Sequence, residues 1–410
     1  SGYARISQNL MHSYGDNQAE VRAGIDRVWA TRTGAGAAVL GLFEYINSAG
    51  TQFNLCQVNG VLETFSLTPA TLKTIIDTAH QTTAIPRFIQ ALGFWLEADG
   101  RSNNYIGNGT NGYPLQVVAP TAVPTVTDNG GGNLTGTYRY DYAYYSSITT
   151  EISPPRGTAV SLTSTTRQNR ITVLIAATEQ FDQIRFYRTR SGGTQYYELA
   201  TVSIAGGVAA YEDNLADSSI VTVSPLHTSA GASNVDRPVG ATDVVFHKGR
   251  VHLIGLSAAR SRHRWSQLNS FVFDSTTDAR HDVESDDGDF LWRGFSYDGS
   301  LVLMKDHSIH LKNGDIDEQS FTWQVASPRE TGIGAYCPFT AISTPVGIIF
   351  QGECGVYIFR PGMSRPQLIS SSIQEDLDDL DYSRRLLFVG GYDQCNRAYL
   401  MSVTPNGQTT

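Results

Sequence analysis

The chain has 410 residues, with 30 Lys plus Arg against 39 Asp plus Glu and a formal net charge of −9. Only 17% of the residues are charged, while 39 glycines and an aromatic share of 10% make a strand-and-turn composition, which excludes a coiled coil, a helical bundle and a disordered chain. No apolar run approaches the roughly 20 residues that span a bilayer, and the acidic balance argues against gripping nucleic acid through a broad basic face.

At about 150 residues per domain the length predicts two or three domains. Ser1-Gly2-Tyr3-Ala4-Arg5 leads into polar sequence, so no signal peptide is expected. From Leu40 to Phe65 the chain reads as three strands, with turns at Asn47-Ser48-Ala49-Gly50 and at Asn59-Gly60. Asn-Gly between alternating runs is a strong hairpin signal because both turn positions need positive φ. Ser66-Leu67-Thr68-Pro69 then supplies a cap and a first-turn proline, and Leu72, Ile75 and Ile76 give one apolar face, which predicts a helix to about Thr83. Strands resume at Phe94-Trp95-Leu96-Glu97, turn at Asp99-Gly100, and continue through Tyr105-Ile106 and Leu115-Gln116-Val117.

Pro120 to Gly132 reads as a linker, rich in Pro and ending in Asp128-Asn129-Gly130-Gly131-Gly132. Beyond it, strands are expected at Thr137 to Tyr145, Ile171 to Ile175, Phe181 to Arg188, Tyr196 to Ala200 and Tyr211 to Asp213, with a turn at Ser191-Gly192-Gly193. Six or seven short strands in about 100 residues, without a helix, predict an immunoglobulin- or fibronectin type III-like sandwich.

The last part repeats the hairpin grammar. Val244-Val245-Phe246 turns at His247-Lys248-Gly249 into Arg250 to Ile254; Leu291 to Tyr297 turns at Asp298-Gly299 into Leu301 to Met304, followed by Ser308 to Leu311. Phe339 to Ile342 leads into Gly347 to Phe350 and Gly355 to Phe359, and Leu386-Leu387-Phe388-Val389 turns near Asp393 into Arg397 to Met401. Between these, Ile373, Leu377 and Leu380 at i, i+4, i+7 predict a second short helix with an acidic face and Arg384 and Arg385 at its end. Units of about 40 to 50 residues with three or four short strands suggest propeller blades. The expected fold is all-β: a β-propeller with an inserted sandwich and one or two short helices. Its parts are residues 1–119 (first blades), 120–225 (the sandwich) and 226–410 (remaining blades).

Chemical motifs are sparse. There is no GxSxG elbow and no sialidase-type Asp box, so no enzyme and no cofactor are expected. Four cysteines without a CxxC make scattered buried thiols the expectation. Asp282-Val283-Glu284-Ser285-Asp286-Asp287-Gly288-Asp289 resembles a calcium loop, but counting from Asp282 glycine falls at position 7 and Arg293 at 12, so the EF-hand pattern fails. Arg260, Arg262, His263 and Arg264, leading into Trp265, form the one basic cluster with an aromatic, a candidate subunit or phosphate contact.

The order of several segments carries a resemblance. Tyr138-Arg139-Tyr140-Asp141-Tyr142, Glu151-Ile152-Ser153-Pro154-Pro155 and Ile184-Arg185-Phe186-Tyr187-Arg188-Thr189 are followed by Lys248-Gly249-Arg250-Val251, Trp265-Ser266, Gly299 to Lys305, Gly332-Ile333-Gly334, Gly347 to Phe350 and Gly355-Val356-Tyr357. Over roughly residues 120 to 400 this resembles the β-propeller nozzle (tail tubular, or packaged-DNA stabilisation) proteins of short-tailed bacteriophages. The resemblance implies a virion tail protein, assembled in the host cytoplasm. It implies a ring, usually a hexamer, below portal and adaptor, with double-stranded DNA passing through and no membrane insertion.

A conduit must not hold DNA, because each cationic phosphate contact adds affinity. Asp282, Glu284, Asp286, Asp287 and Asp289 are therefore the candidate channel-facing groups, and heterologous ring contacts need two different patches per subunit. The alternative is a carbohydrate- or receptor-binding propeller, an adhesin in which Tyr105 or Tyr113 would stack on sugars.

Overall fold

The structure, a computed structural model, describes residues 10–12, 19–21, 39–58, 60–67, 70–76, 84–100, 103–108, 111–115, 117, 119–147, 149, 151–178, 180–220, 238–273, 280–313 and 322–407. It is nearly all β, divided among small antiparallel sheets. Strands β1 (Leu10–His12) and β2 (Ala19–Val21) form a pair. The first meander holds β3 (Val39–Ile46), β4 (Gln52–Val58), β5 (Val61–Leu67) and β6 (Ala70–Ile76). The second holds β7 (Arg87–Ala91), β8 (Phe94–Ala98), β9 (Tyr105–Gly107) and β10 (Gly112–Pro114). A five-stranded module follows: β11 (Thr125–Tyr145), β12 (Val160–Leu174), β13 (Gln183–Thr189), β14 (Tyr196–Ser203) and β15 (Val208–Asp213).

Three more meanders come after it. They are β16 (Asp243–His247), β17 (Arg250–Leu256), β18 (Ala259–Trp265) and β19 (Arg280–Asp282); β20 (Leu291–Tyr297), β21 (Ser300–Lys305), β22 (Ile309–Asn313) and β23 (Thr322–Ser327); and β24 (Cys337–Thr344), β25 (Gly347–Gly352), β26 (Gly355–Phe359) and β27 (Gln367–Leu368). A short helix α1 (Gln374–Asp378) precedes a two-stranded sheet of β28 (Val389–Asp393) and β29 (Ala398–Ser402).

Each meander begins at a common centre. β3 lies beside β7, β7 beside β16, β16 beside β20, β20 beside β24 and β24 beside β28. Residues of β3, β7, β16, β20 and β28 line one cavity of about 920 Å³. Faces of neighbouring sheets are apolar and close on one another in a series of seams. Tyr45, Leu55, Leu62, Trp95 and Tyr105 pack between the first and second meanders, and Leu96, Ile106, Val251, Leu253, Phe271 and Phe273 between the second and third. Val245, Ile254, Leu291, Leu301 and Leu303 fill the next seam; Met304, Leu311, Ile348, Phe350 and Phe359 the one after. Each such side chain contributes about 1.5–3 kcal/mol on burial, so the seams, rather than any one sheet, hold the array together. Within the second meander Gly107 makes room for the Trp95 ring that fills the first seam: the two residues are cross-strand partners, and a Cβ on Gly107 would collide with that ring.

The five-stranded module differs from the expected set of short strands. Its order is β14-β13-β11-β12-β15, and two long strands each serve both halves of the fold. Tyr140 is the changeover point, paired with Val160 of β12 on one side and Arg188 of β13 on the other. Its main core holds Leu134, Tyr138, Tyr140, Tyr142, Ile184 and Phe186, and a smaller cluster of Ala143, Tyr187 and Tyr196 lies apart from it. The stretch 125–132, read as linker, lies inside β11. Its Asp-Asn-Gly-Gly-Gly run produces register shifts between Asp128 and Leu134, with Gly130 at φ 96°, so the glycines bulge the strand instead of ending it.

Other expectations shift as well. The helix predicted to start at Ser66 is strand from Val61 to Leu67 and again from Ala70 to Ile76, with Leu67 opposite Ala70; residues 77–83 lie outside the described residues. Thr71, Thr74, Ile75 and Ile76 are β-branched, and pairing with β5 outweighs a helical spacing of three apolar residues. The outer strand of the second meander is Gly112–Pro114, not Leu115 to Val117. Leu386 and Leu387 belong to a 3-10 turn, Tyr382–Leu387, capped by the Asp381 carboxylate on Ser383 N, and the strand begins at Val389. The second helix is short, with Leu377 and Leu380 buried and Ile373 exposed. Cys56 and Cys337 are buried, whereas Cys354 and Cys395 are exposed thiols.

Candidate functional site

The acidic loop and the basic strand, read separately in the sequence, are one structure. β18 pairs with β19 so that Arg262 faces Asp282, His263 faces His281 and Arg264 faces Arg280. Arg262 donates from Nε and Nη2 to the two carboxylate oxygens of Asp282 at 2.7 and 2.8 Å, a two-pronged pair that holds the Asp282 carboxyl below its ordinary range. Arg264 is only 5% exposed, so it presents no guanidinium to a phosphate outside, and Arg260 is half-buried beside Asp99 and Trp292. The basic cluster is therefore largely internal.

The loop after β19 is shaped around a cation supplied by the chain itself. Val283 continues the ladder by donating its N–H to Ser261 O at 2.9 Å, and its side chain is buried. Glu284 then takes φ 43°, turning the backbone so that the carbonyls of Val283 and Glu284 point inward. Lys305, fully buried on β21, donates from Nζ to both carbonyls at 2.9 Å and to both Asp287 carboxylate oxygens at 2.6 Å. The loop that resembled a calcium site thus wraps an ammonium group, which supplies the positive charge that its oxygens need. Among the described residues no group of three or more His, Cys, Asp or Glu could hold a metal ion.

The remaining carboxylates divide. Asp289 is buried and accepts from His307 N at 3.1 Å and from its Nδ1 at 2.9 Å. Glu284 is exposed and lies 3.8 Å from His310 Nε2. Asp286 is exposed. Of five candidate channel groups, Asp282 and Asp287 are matched by Arg262 and Lys305, and none lines the 920 Å³ cavity. The negative charge this loop offers to solvent is smaller than five carboxylates imply.

A buried histidine group beside it went unnoticed in the sequence. His252 Nδ1 lies 2.7 Å from His263 Nε2, their rings stacked at 4.9 Å between centroids, with His247 and His281 close by. Burial is the main cause holding His252 and His263 well below their ordinary 6.5, and the Lys312 ammonium, stacked 4.8 Å from the Trp265 ring centre, adds to it. The available signal was cross-strand pairing of histidines on adjacent strands, visible only once the register is known. Tyr105, a candidate sugar-stacking residue, is 3% exposed in the first seam, while Tyr113 is half-buried.

Among the described residues no helix is long and apolar enough to cross a membrane. No protein-family model and no curated protein matches the sequence. Among solved structures, similarity is found to a computationally designed protein, Ika8, at 9% identity over 82% of this chain and 87% of that one, TM-score 0.23. It is also found to the extracellular domain of a one-component system from B. thetaiotaomicron (10% identity, 83% and 55% covered, TM-score 0.23) and to a nidogen/laminin complex (12%, 72% and 82%, TM-score 0.20). At such TM-scores these likenesses bear on neither fold nor function.

Proposed function

We propose that this chain is a structural virion protein, a subunit of the ring that closes the distal end of a short-tailed phage tail. In this reading the sheets around the cavity are the blades of a β-propeller. The five-stranded module between the second and third of them is the immunoglobulin- or fibronectin type III-like insertion. Six copies join side by side below portal and adaptor, and the genome is retained behind them and leaves through them.

The observation that carries the reading is the interruption of a meander array by one all-β module, at the position the sequence resemblance implies. Asn104, just before β9, holds the two ends of the interruption together: its carbonyl accepts from Leu115 N at 2.6 Å where the chain leaves, and where it returns its Nδ2 donates to Pro238 O at 2.9 Å and its Oδ1 accepts from Ala241 N at 3.1 Å. Two stiff bodies with different surfaces suit a closed heterologous ring. Because Asp282 and Asp287 are internally matched, repulsion of the phosphates rests on Glu284, Asp286 and the chain-wide charge of −9.

The test is an image average of the purified chain, alone and with a portal–adaptor complex. Six-fold rings with a bore wide enough for duplex DNA support the reading. A monomer under both conditions, or a bore lined by lysine and arginine, overturns it.

A further inference from the structure

The cavity at the centre of the sheets has a use that the conduit reading does not require. Its volume of about 920 Å³ falls within the range of small-molecule pockets, about 300–1,000 Å³. Its wall is mostly aliphatic and aromatic, with Val39, Leu42, Phe43, Phe88, Val245 and Phe295 contributed by four different strands. Among the described residues, the charged ones that line it are Arg87, Asp243 and Arg293.

Those three do not balance. Arg293 is 6% exposed; its Nη1 lies 3.0 Å from Asp243 Oδ2, its Nη2 donates to Ala341 O at 3.2 Å, and its Nε has no hydrogen-bond partner. Asp243 Oδ2 also accepts Gly294 N at 2.9 Å. Arg87 donates from Nη2 to Phe339 O at 3.2 Å, with its guanidinium 4.9 Å from the Phe339 ring centre, and its Nε is likewise unpartnered. Among the described residues two guanidiniums, one buried and one half-buried, thus face this cavity with a single carboxylate, leaving positive charge in excess beside an apolar wall, where an uncompensated charge is costly. Burial, and then repulsion by Arg293, bring the Arg87 guanidinium down to about 9 against the pull of Asp243, so Arg87 keeps its charge at neutral pH; burial lowers Arg293 as well, against the same Asp243.

We propose that this cavity binds a small molecule with one oxyanion group, carboxylate or phosphate, held between Arg87 and Arg293, and an apolar body packed against the surrounding wall. The anion would supply the missing negative charge, and two rigid guanidinium forks match the oxygens of either group. The residues that accept the ligand come from β7 and β20, two separate meanders, so binding would also tie those sheets together across the centre.

Calorimetric titration of the full chain tests this with four probes: 2-naphthoate, 2-naphthyl phosphate, 2-naphthamide and inorganic phosphate. Both naphthyl anions should bind, and whichever is tighter identifies the source of the oxyanion. The neutral amide, which lacks the charge, and inorganic phosphate, which lacks the body, should each bind roughly tenfold more weakly or not at all. Arg87→Gln should weaken the naphthyl anions by roughly tenfold and Arg87→Lys by less. Asp243→Asn keeps an acceptor for Gly294 N while removing the competing charge, and should tighten them. No binding of either naphthyl anion to the wild-type chain, amide binding as strong as naphthoate, or weaker anion binding after Asp243→Asn overturns the proposal. Melting curves of each variant confirm that the folded chain is being titrated.

Discussion

The five-stranded module and the array of meanders both bury charge, but in different places. In the module the charges lie inside one sheet. Arg188 and Asp213, both fully buried, meet at 2.8 Å; Tyr140 donates to Asp213 at 2.7 Å, Asn169 to Tyr140 at 2.8 Å, and Ser164 to Asn169 at 2.7 Å. That chain of bonds crosses β11, β12, β13 and β15, and it fixes the register of strands long enough to slip. In the array the charges lie between sheets: Lys305 against the loop before β20, Arg293 reaching β16 and β24, and Arg385 of the 3-10 turn donating to Asp306 at 2.6 Å. Thr242 similarly donates to Ile254 O and to Leu291 O, at 3.0 and 3.3 Å. Buried polarity sets register where strands are long, and sets the relation of neighbours where sheets are small.

The sharpest way to break this comparison is Asp213→Ala, which takes from Arg188 its fully buried carboxylate, leaving it only Asp217 at 3.1 Å and Leu215 O, and strips Tyr140 of its acceptor; it should cost about 3 kcal/mol or more. None of the five tryptophans lies between Thr125 and Asp213, so the loss should appear in the circular dichroism of urea unfolding before tryptophan fluorescence changes. Coincident shifts of both signals would mean that the module and the array unfold as one unit.

Acid should act on the array. Burial, followed by the Lys305 charge, lowers His310 from 6.5 to about 4, and His252 and His263 lie below their ordinary value for the same first reason. Between pH 6.5 and 4 the unfolded chain takes up protons that the folded chain refuses, so stability falls as pH falls. His310 alone accounts for about 3 kcal/mol of that by pH 4. Melting curves from pH 7 to 4, repeated on His310→Gln, should show a flatter profile in the variant.

The module carries the opposite dependence. Burial raises Glu151 from 4.5 to about 8, so it is protonated in the fold and ionised once unfolded, and its contribution fades as pH rises from 4.5 towards 8. Glu151→Gln should therefore raise the stability at pH 7.5 by up to about 4 kcal/mol and do nothing at pH 4. A variant equally stabilised at both pH values would contradict the assignment. The smallest effect belongs to Arg262→Gln, whose partner Asp282 is partly exposed; the cost should stay below about 1 kcal/mol and shrink in high salt.

What the sequence displays clearly is local. Turns at Lys248-Gly249 and Asp298-Gly299 were readable because each turn's geometry is written in adjacent residues, with Lys248 and Asp298 themselves at positive φ. The pairing of Arg262 with Asp282 was not readable, because the residues between β18 and β19 hide which of them will face each other. The same holds for Lys305 and its loop: the loop's oxygens were visible as a motif, but the cation that fills them comes from the next sheet. The helix expected after Ser66 fails for a related reason, since the open edge of β5 is a tertiary fact.

The clamp at Asn104 has one further consequence. A domain that departs beside Leu115 and returns beside Pro238 is mounted like a fitting in a socket: Asn104 bonds to both, Gly100 N donates to Ala241 O at 2.7 Å, and the second and third meanders meet across their apolar seam whatever is plugged in between. Lengthening such an insert adds only a logarithmic closure cost, so bodies of quite different size could be exchanged at this point while the mounting stays the same.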